Sequence, residues 1–180
     1  LQELGQLEAA VMSFEQALAI KPNYTAAHNN LGNVLQELGQ LEAAVMSFER
    51  ALAIKPNYAE AHNNLGNVLQ ELDQLEAAVK HYKQALTIKP NYTEAQYNLG
   101  VTLQKLGQLE AAVKSYEQAL AINPDYADAH NNLGATFKEL GQLKEAVKCY
   151  KKALSINPSN QLYWIGFSDI LQTIRFESFN

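Results

Sequence analysis

Apolar residues recur along this chain at the spacing of an amphipathic helix. In the stretch 25–38 they fall at positions i, i+4, i+7, i+8 and i+11, which share one helix face: Ala27, Leu31, Val34, Leu35 and Leu38. A second apolar stripe begins at Leu41 and ends before Pro56, whose missing backbone N–H stops a helix. The pattern predicts two short helices with Gly39 at the turn between them.

The same pair of helices recurs at a fixed interval. Three residue types return every 34 residues, at Pro22, Pro56, Pro90, Pro124 and Pro158, at Gly32, Gly66, Gly100 and Gly134, and at Ala44, Ala78, Ala112 and Ala146. A period of this length is typical of a solenoid of stacked helix pairs. We therefore expect complete repeats at 25–58, 59–92, 93–126 and 127–160, a partial repeat at 1–24 (the end of a first helix plus a second helix), and a partial repeat or junction helix at 161–180 that leads to a further C-terminal region.

The turns between helices predict specific local geometry. Asn57 is expected to cap the next helix through its side chain, and Glu60, three residues later, completes a capping box. Asp73 occupies the place that glycine holds in the other repeats. If the backbone is left-handed there, the aspartate should cost at most about 1 kcal/mol, because it carries a Cβ atom.

Eight spaced residues identify the family that the repeats resemble. In the first complete repeat they are His28, Leu31, Gly32, Leu35, Ala44, Phe48, Ala51 and Pro56, and the aromatic position recurs as Tyr82, Tyr116 and Tyr150. The pattern resembles the tetratricopeptide repeat. This resemblance implies an all-α fold, a right-handed superhelical α-solenoid whose first helices line the concave side. His28 stands where the family usually has a large aromatic residue, and Gly32 is expected to face Ala44 at a close helix approach.

Both ends carry apolar residues that the repeats do not cover. We predict that Leu1–Gly5 is the tail of a first helix and that a second helix spans roughly residues 7 to 20. Residues 161–172 resemble one more first helix, in a stretch too apolar for the polar cap that ends a solenoid. The under-covered side chains are Val11, Phe14, Leu18, Trp164 and Phe179. They indicate either a domain that follows this chain or association between copies.

Net charge and cysteine content narrow the classes of function. With 14 basic against 19 acidic side chains the formal charge is -5, which argues against a nucleic-acid partner. Cys149 is the single cysteine, so we expect a cytoplasmic, reducing location without disulfides. No apolar run approaches membrane-spanning length, so no membrane partner is expected. The chain begins at Leu1 without an initiating Met, and we expect it to be a piece of a longer protein.

Residues that could carry chemistry are few and separate. His28, His62 and His130 occupy equivalent places in repeats about 10 Å apart, too far to share a zinc ion bound at about 2 Å, and are interpreted as packing residues. His81 has no acidic or thiol partner in register and is expected to face solvent. Cys149 has no base positioned to activate it. We predict no catalytic residue, no metal site and no cofactor here, and whether the parent protein is an enzyme stays open.

Asparagine is frequent on the face expected to be lined by the first helices. By the family register this face carries Asn29, Asn30, Asn33, Asn63, Asn64, Asn67, Tyr97, Asn98, Asn131 and Asn132. Asparagine costs about 0.7 kcal/mol relative to alanine within a helix, so its repeated presence favours a ligand-binding role. The leading hypothesis is a protein-interaction scaffold, without activity of its own, that binds a protein or peptide in extended conformation. Replacing such asparagines by alanine is then expected to weaken binding and to leave stability intact.

Three alternatives to this hypothesis stay open. Residues 1–24 repeat residues 35–58 with one difference, Gln16 for Arg50, so duplication alone could have copied a harmless residue. The asparagine row also resembles the repeat region of O-linked N-acetylglucosamine transferase, which implies the substrate-recruiting arm of a larger enzyme, a bacterial glycosyltransferase-type or other transferase. A different class is a self-assembly module, a homo-oligomer that stacks end to end through its terminal helices.

Overall fold

The computed structural model describes residues 2–177, with side chains over residues 4–175. The described residues form ten α-helices and no strand, which confirms the predicted all-α fold class. The helices are α1 (Gln2–Ile20), α2 (Thr25–Glu37), α3 (Leu41–Ile54), α4 (Ala59–Glu71), α5 (Leu75–Ile88), α6 (Thr93–Lys105), α7 (Leu109–Ile122), α8 (Ala127–Glu139), α9 (Leu143–Ile156) and α10 (Gln161–Glu177). Both helices predicted for the first complete repeat are thus present, within a residue or two of their expected ends.

The described residues divide after Pro90 into two compact units, each built from helix pairs. In the N-terminal unit α2 pairs with α3 and α4 with α5, while α1 packs on α2 and α3 packs on α4. In the C-terminal unit α6 pairs with α7 and α8 with α9, and α10 packs mainly on α9. The helices of one complete repeat therefore form the most extensive contact within each unit.

An aromatic side chain from the second helix fills the space beside a glycine of the first. Phe48, Tyr82 and Tyr116 are fully buried. A Cβ atom placed on Gly32 would lie 2.7 Å from Phe48 Cε1, and one on Gly66 would lie 2.6 Å from Tyr82 Cε1. The close approach predicted at Gly32 is therefore present, but its nearest neighbour is the aromatic ring and not Ala44.

The turns inside the pairs have left-handed backbone, as predicted. Gly39 has φ 71° and Gly107 has φ 70°, and Asp73 takes the same conformation with φ 58°. In each turn the residue that follows donates its backbone N–H to a carbonyl five positions back, as Gln74 N does to Leu69 O at 2.8 Å. Repeated backbone bonding of this kind holds the aspartate in a region that its Cβ disfavours.

The capping role predicted for Asn57 is wrong. The residue before α4 is Tyr58, with φ −116° and ψ 91°, and no side-chain hydrogen bond caps this helix. Because α4 begins at Ala59, Asn57 lies one position too early to reach the first-turn amides. The helix that follows Asn91 behaves in the same way and begins after Tyr92.

The first helix also differs from expectation. α1 runs from Gln2 to Ile20 without the predicted break at Gly5, and Leu1 lies outside the described residues. Gly5 lies inside α1 and is not among the glycines with left-handed backbone, which a turn like those at Gly39 and Gly107 would need. Of the under-covered residues, Val11, Phe14 and Leu18 are half-buried, because α1 packs on α2.

Candidate functional site

Asparagine side chains join the first helices of successive repeats in the N-terminal unit. Asn64 Nδ2 of α4 donates to Asn33 Oδ1 of α2 at 2.9 Å and to Asn29 Oδ1 at 3.4 Å. Asn29 Nδ2 in turn donates to Asn30 Oδ1 at 3.4 Å. Asn29, Asn30, Asn33 and Asn64 thus form one hydrogen-bonded group, which orients their amides.

The C-terminal unit repeats this link with a phenol in place of an amide. Asn132 Nδ2 of α8 donates to the hydroxyl of Tyr97 on α6 at 3.0 Å, across the same 35 residues that separate Asn29 from Asn64. Asn131 Nδ2 donates to Asn132 Oδ1 at 3.2 Å. In both units, therefore, the first helices of successive repeats are joined by a side-chain hydrogen bond between residues 35 positions apart.

Burial divides the predicted site residues into two groups. Asn29 and Asn63 are buried, with only 6% and 5% of their surface exposed. Asn30 is exposed, and the half-buried members are Asn33, Asn64, Asn67, Tyr97, Asn98, Asn131 and Asn132. We call the exposed and half-buried members the first-helix face. Asn29 and Asn63 serve as buried supports behind it, since a ligand cannot cover side chains that solvent does not reach.

Second-helix tyrosines extend to the first-helix face. Tyr82 OH donates to Asn67 Oδ1 at 2.9 Å, and Tyr116 OH donates to Gln104 Oε1 at 3.1 Å. Burial raises the pKa of the Tyr116 phenol well above its usual range, so the group stays protonated and remains a donor. The aromatic position therefore has two roles, because its ring fills the core and its hydroxyl orients an amide on the first helix.

The repeat histidines bond to the preceding turn. His28 Nε2 lies 2.9 Å from Pro22 O, His62 Nε2 lies 3.0 Å from Pro56 O, and His130 Nε2 lies 2.9 Å from Pro124 O. Trp164 Nε1 donates to Pro158 O at 2.8 Å in the same relation. A histidine N–H thus makes the same bond in these repeats that the indole N–H of Trp164 makes before α10, which explains why the position accepts histidine.

The prediction that His81 faces solvent is wrong. Its ring is half-buried against His62, with Nδ1 atoms 3.0 Å apart and ring centroids 5.3 Å apart. Burial lowers the pKa of His81 to about 4, and the neighbouring His62 and Lys80 add to the shift. If His62 Nε2 donates to Pro56 O, its Nδ1 must accept, and the shared proton then lies on His81 Nδ1.

The remaining candidate chemistry is weak among the described residues. Burial raises the pKa of the Cys149 thiol to about 11, with Glu117 and Glu145 adding to the shift, so the reactive thiolate is scarce at neutral pH. Within residues 2–177 no three His, Cys, Asp or Glu side chains come together in a group that could hold a metal ion. None of the described helices combines the length and apolarity needed to cross a membrane.

The structure also assembles an aromatic group that the sequence did not predict. The rings of Tyr97 and Tyr126 lie 4.8 Å apart between centroids, and those of Tyr97 and Tyr116 lie 6.0 Å apart. Beside them, Tyr163 OH donates to Asp128 Oδ1 at 2.6 Å. The available signal was Tyr97 itself, which replaces the asparagine found at this place in the other repeats.

Models of one repeat family match the chain along successive stretches. Models described as TPR repeat or tetratricopeptide repeat match residues 1–39, 23–91, 71–115, 105–141 and 127–160. A comparison with curated proteins finds no match.

Several solved structures are similar over most of the chain. MamA is 26% identical with a TM-score of 0.81, over 87% of this chain and 92% of that protein. YrrB, described as a TPR protein with an unusual peptide-binding site, is 27% identical with a TM-score of 0.76, over 91% and 84%. TTC0263, a thermophilic TPR protein of Thermus thermophilus, is 26% identical with a TM-score of 0.73, over 95% and 93%.

Proposed function

Since the chain belongs to the tetratricopeptide repeat family, we propose that it is a protein-interaction module that binds an extended polypeptide on the first-helix face. The observation that carries this proposal is the hydrogen bonding among the asparagines, which orients amide groups along α2 and α4. Oriented amides can bind a ligand without a further loss of side-chain entropy. The likeness to YrrB, a TPR protein with a peptide-binding site, supports a peptide as the class of ligand.

Asparagine suits recognition of a main chain. Its amide has an acceptor oxygen and two N–H donors, so it can pair with both the C=O and the N–H of an extended strand. Asn33 accepts from Asn64 through Oδ1 and still carries two N–H groups on Nδ2. With neighbouring helices about 10 Å apart and an extended chain rising about 3.3 Å per residue, each repeat would contact about every third ligand residue. Recognition through the main chain would tolerate many ligand sequences.

A single substitution with a matched control tests this proposal. Asn30 is exposed and accepts only a long 3.4 Å bond from Asn29, so Asn30→Ala removes an amide from the face with little effect on the fold. We expect it to weaken binding of a peptide selected from a random library by about 0.5–1.5 kcal/mol, measured by titration calorimetry. Asn57 is also exposed but lies in a turn, so Asn57→Ala should bind like the parent protein. Equal affinities for the two variants would contradict the proposal.

Association between copies is a second candidate, and the exposed side of α10 favours it. Leu162 and Ile165 have 69% and 63% of their surface exposed, whereas Tyr163 and Ile170 on the same helix are buried. An apolar surface of this kind on a single helix can mark a protein contact. The two candidates use different surfaces, so variants can separate them.

A further inference from the structure

Two tyrosines that precede first helices each have a lysine over the ring. Lys21 Nζ lies 5.1 Å from the centroid of Tyr24, and Lys55 Nζ lies 4.7 Å from the centroid of Tyr58. Both distances are within the roughly 6 Å range of a cation–π contact. The chain itself therefore shows that a primary ammonium group fits against a tyrosine at this place in the repeat.

Tyr126 occupies the same place before α8, but its repeat has lost the lysine. The residue three positions earlier is Asn123, where the turns at 21–24, 55–58 and 89–92 all have lysine. Lys152 reaches this turn from α9, but its Nζ pairs with Asp125 Oδ1 at 3.1 Å. Within residues 4–175, whose side chains the structure describes, no lysine lies over the Tyr126 ring as Lys21 and Lys55 lie over Tyr24 and Tyr58.

The surroundings of Tyr126 favour a positive charge. Its ring packs against that of Tyr97, with centroids 4.8 Å apart, so the two rings form one joined aromatic surface. Burial raises the pKa of Tyr126 to about 12, and Tyr97 and the nearby carboxylates of Asp128 and Glu94 add to the shift. Burial opposes a charge of either sign, whereas the two carboxylates disfavour a phenolate and attract a cation.

We propose that Tyr126 and Tyr97, together with the carboxylates of Asp128 and Glu94, form a subsite for one lysine or arginine side chain of the bound polypeptide. This inference rests on the proposed function, because the subsite adjoins the Asn132–Tyr97 hydrogen bond of the first-helix face. The stem of the basic side chain packs along the two rings, and its charged end lies over Tyr126 between the carboxylates.

The subsite is specific to the C-terminal unit. In the N-terminal unit the place of Tyr97 is held by the buried asparagines Asn29 and Asn63, and Tyr58 already has Lys55 over its ring. The C-terminal unit would then select a single basic side chain at this point. A ligand with a basic residue would bind in one register only.

The proposed subsite can be tested by a substitution that places a lysine of the protein itself over the Tyr126 ring. Asn123→Lys restores the lysine that the equivalent turns carry, and the new ammonium should lie over the Tyr126 ring. The variant loses the exposed hydrogen bond that Asp125 N donates to Asn123 Oδ1 at 3.2 Å, but the fold should tolerate this, because lysine is present in the equivalent turns. Random peptide libraries are selected in parallel on the parent protein and on Asn123→Lys. We expect a basic residue at one fixed ligand position with the parent protein, and its loss with the variant.

Affinities of one selected peptide then measure the subsite. Replacing its basic residue by norleucine should weaken binding to the parent protein about three- to thirty-fold and leave binding to Asn123→Lys unchanged. Tyr126→Phe keeps the aromatic ring, so this variant should still prefer the basic residue over norleucine. Tyr126→Leu removes the ring and should show no such preference. Selection without a basic preference, or the same preference on Asn123→Lys, would overturn this inference and leave peptide binding intact. If neither protein selects any peptide, both the proposed function and the subsite are wrong.

Discussion

At the scale of single residues, Gly66 shows how little space there is for a side chain where the two helices of a pair meet. An added Cβ would lie 2.6 Å from Tyr82 Cε1, so Gly66→Leu must displace a buried ring and should destabilise the protein by about 1–3 kcal/mol or more. Glu71 is exposed and accepts a hydrogen bond from Gln36, so Glu71→Ala should change stability by only about 0.5 kcal/mol. Thermal melts compare the two variants, and equal midpoints would mean that the helix register is wrong.

His81 gives the fold a defined response to acid. Its folded pKa of about 4 lies below the usual 6.5, so the unfolded chain binds the proton first and stability falls as pH drops from 6.5 towards 4. The full shift in the pKa of His81 corresponds to about 3 kcal/mol in the free energy of unfolding. Because the ring is half-exposed and solvent screens its charge, we expect a loss of stability of only about 1 kcal/mol.

His81→Ser tests this response, because serine holds the equivalent place at Ser47 and Ser115. Urea unfolding of the parent protein and the variant across the window from pH 6.5 to 4 should show a smaller acid loss in the variant. Parallel curves over this window would show that the His62–His81 contact does not couple to folding.

At the scale of helices, Asn64 connects α4 to α2 and changes what an alanine substitution should do. Asn64→Ala removes three hydrogen bonds, a short one to Asn33 at 2.9 Å and two long ones to Asn29 and Asn63. A short bond is worth about 0.5–1.5 kcal/mol, and the alanine gains about 0.7 kcal/mol of helix propensity. Asn30→Ala gains the same helix propensity and loses only the long hydrogen bond from Asn29 at 3.4 Å. The Asn30→Ala variant should therefore be more stable than Asn64→Ala by about 1 kcal/mol in the free energy of unfolding, which thermal melts can measure. The reverse order would contradict the linking role assigned to Asn64.

The sequence predicted the helix pairs well because every repeat samples the same environment. Pro56, Gly66 and Tyr82 each recur at fixed places, so period alone located the turns and the buried ring. It could not locate contacts that depend on differences between repeats. The His62–His81 contact and the Tyr97–Tyr126 pair both depend on side chains that change from one repeat to the next.

For the candidate residues, the sequence predicted the helices that carry them but not how deeply each side chain is buried. All ten residues were placed on first helices, yet helical register alone does not separate Asn29, which is buried, from its exposed neighbour Asn30. That distinction depends on the adjacent helix, whose Asn64 covers Asn29 from 35 residues away. Contacts of this length are not visible in the periodicity of a single repeat.

At the scale of the whole molecule, α10 should control any association between copies. Leu162→Lys with Ile165→Lys places charges on its exposed apolar side and should lower the concentration-dependent mass in light scattering. Met46→Lys, on the exposed side of α3, is the matched control and should behave like the parent protein. Trp164 lies half-exposed on the same helix, and Phe179 lies outside the described residues. Identical masses for all three proteins would exclude α10 as the contact.

The most direct test of the central claim, that the first-helix face binds a polypeptide, replaces Asn30, Asn64, Asn98 and Asn132 together by alanine. A peptide selected from a random library is titrated into the parent protein and the variant at a temperature where both remain folded. At about 0.5–1.5 kcal/mol for each hydrogen bond, affinity should fall by several kcal/mol, while circular dichroism shows an intact helical fold. Unchanged affinity in a folded variant would contradict the claim and leave these asparagines with a structural role alone.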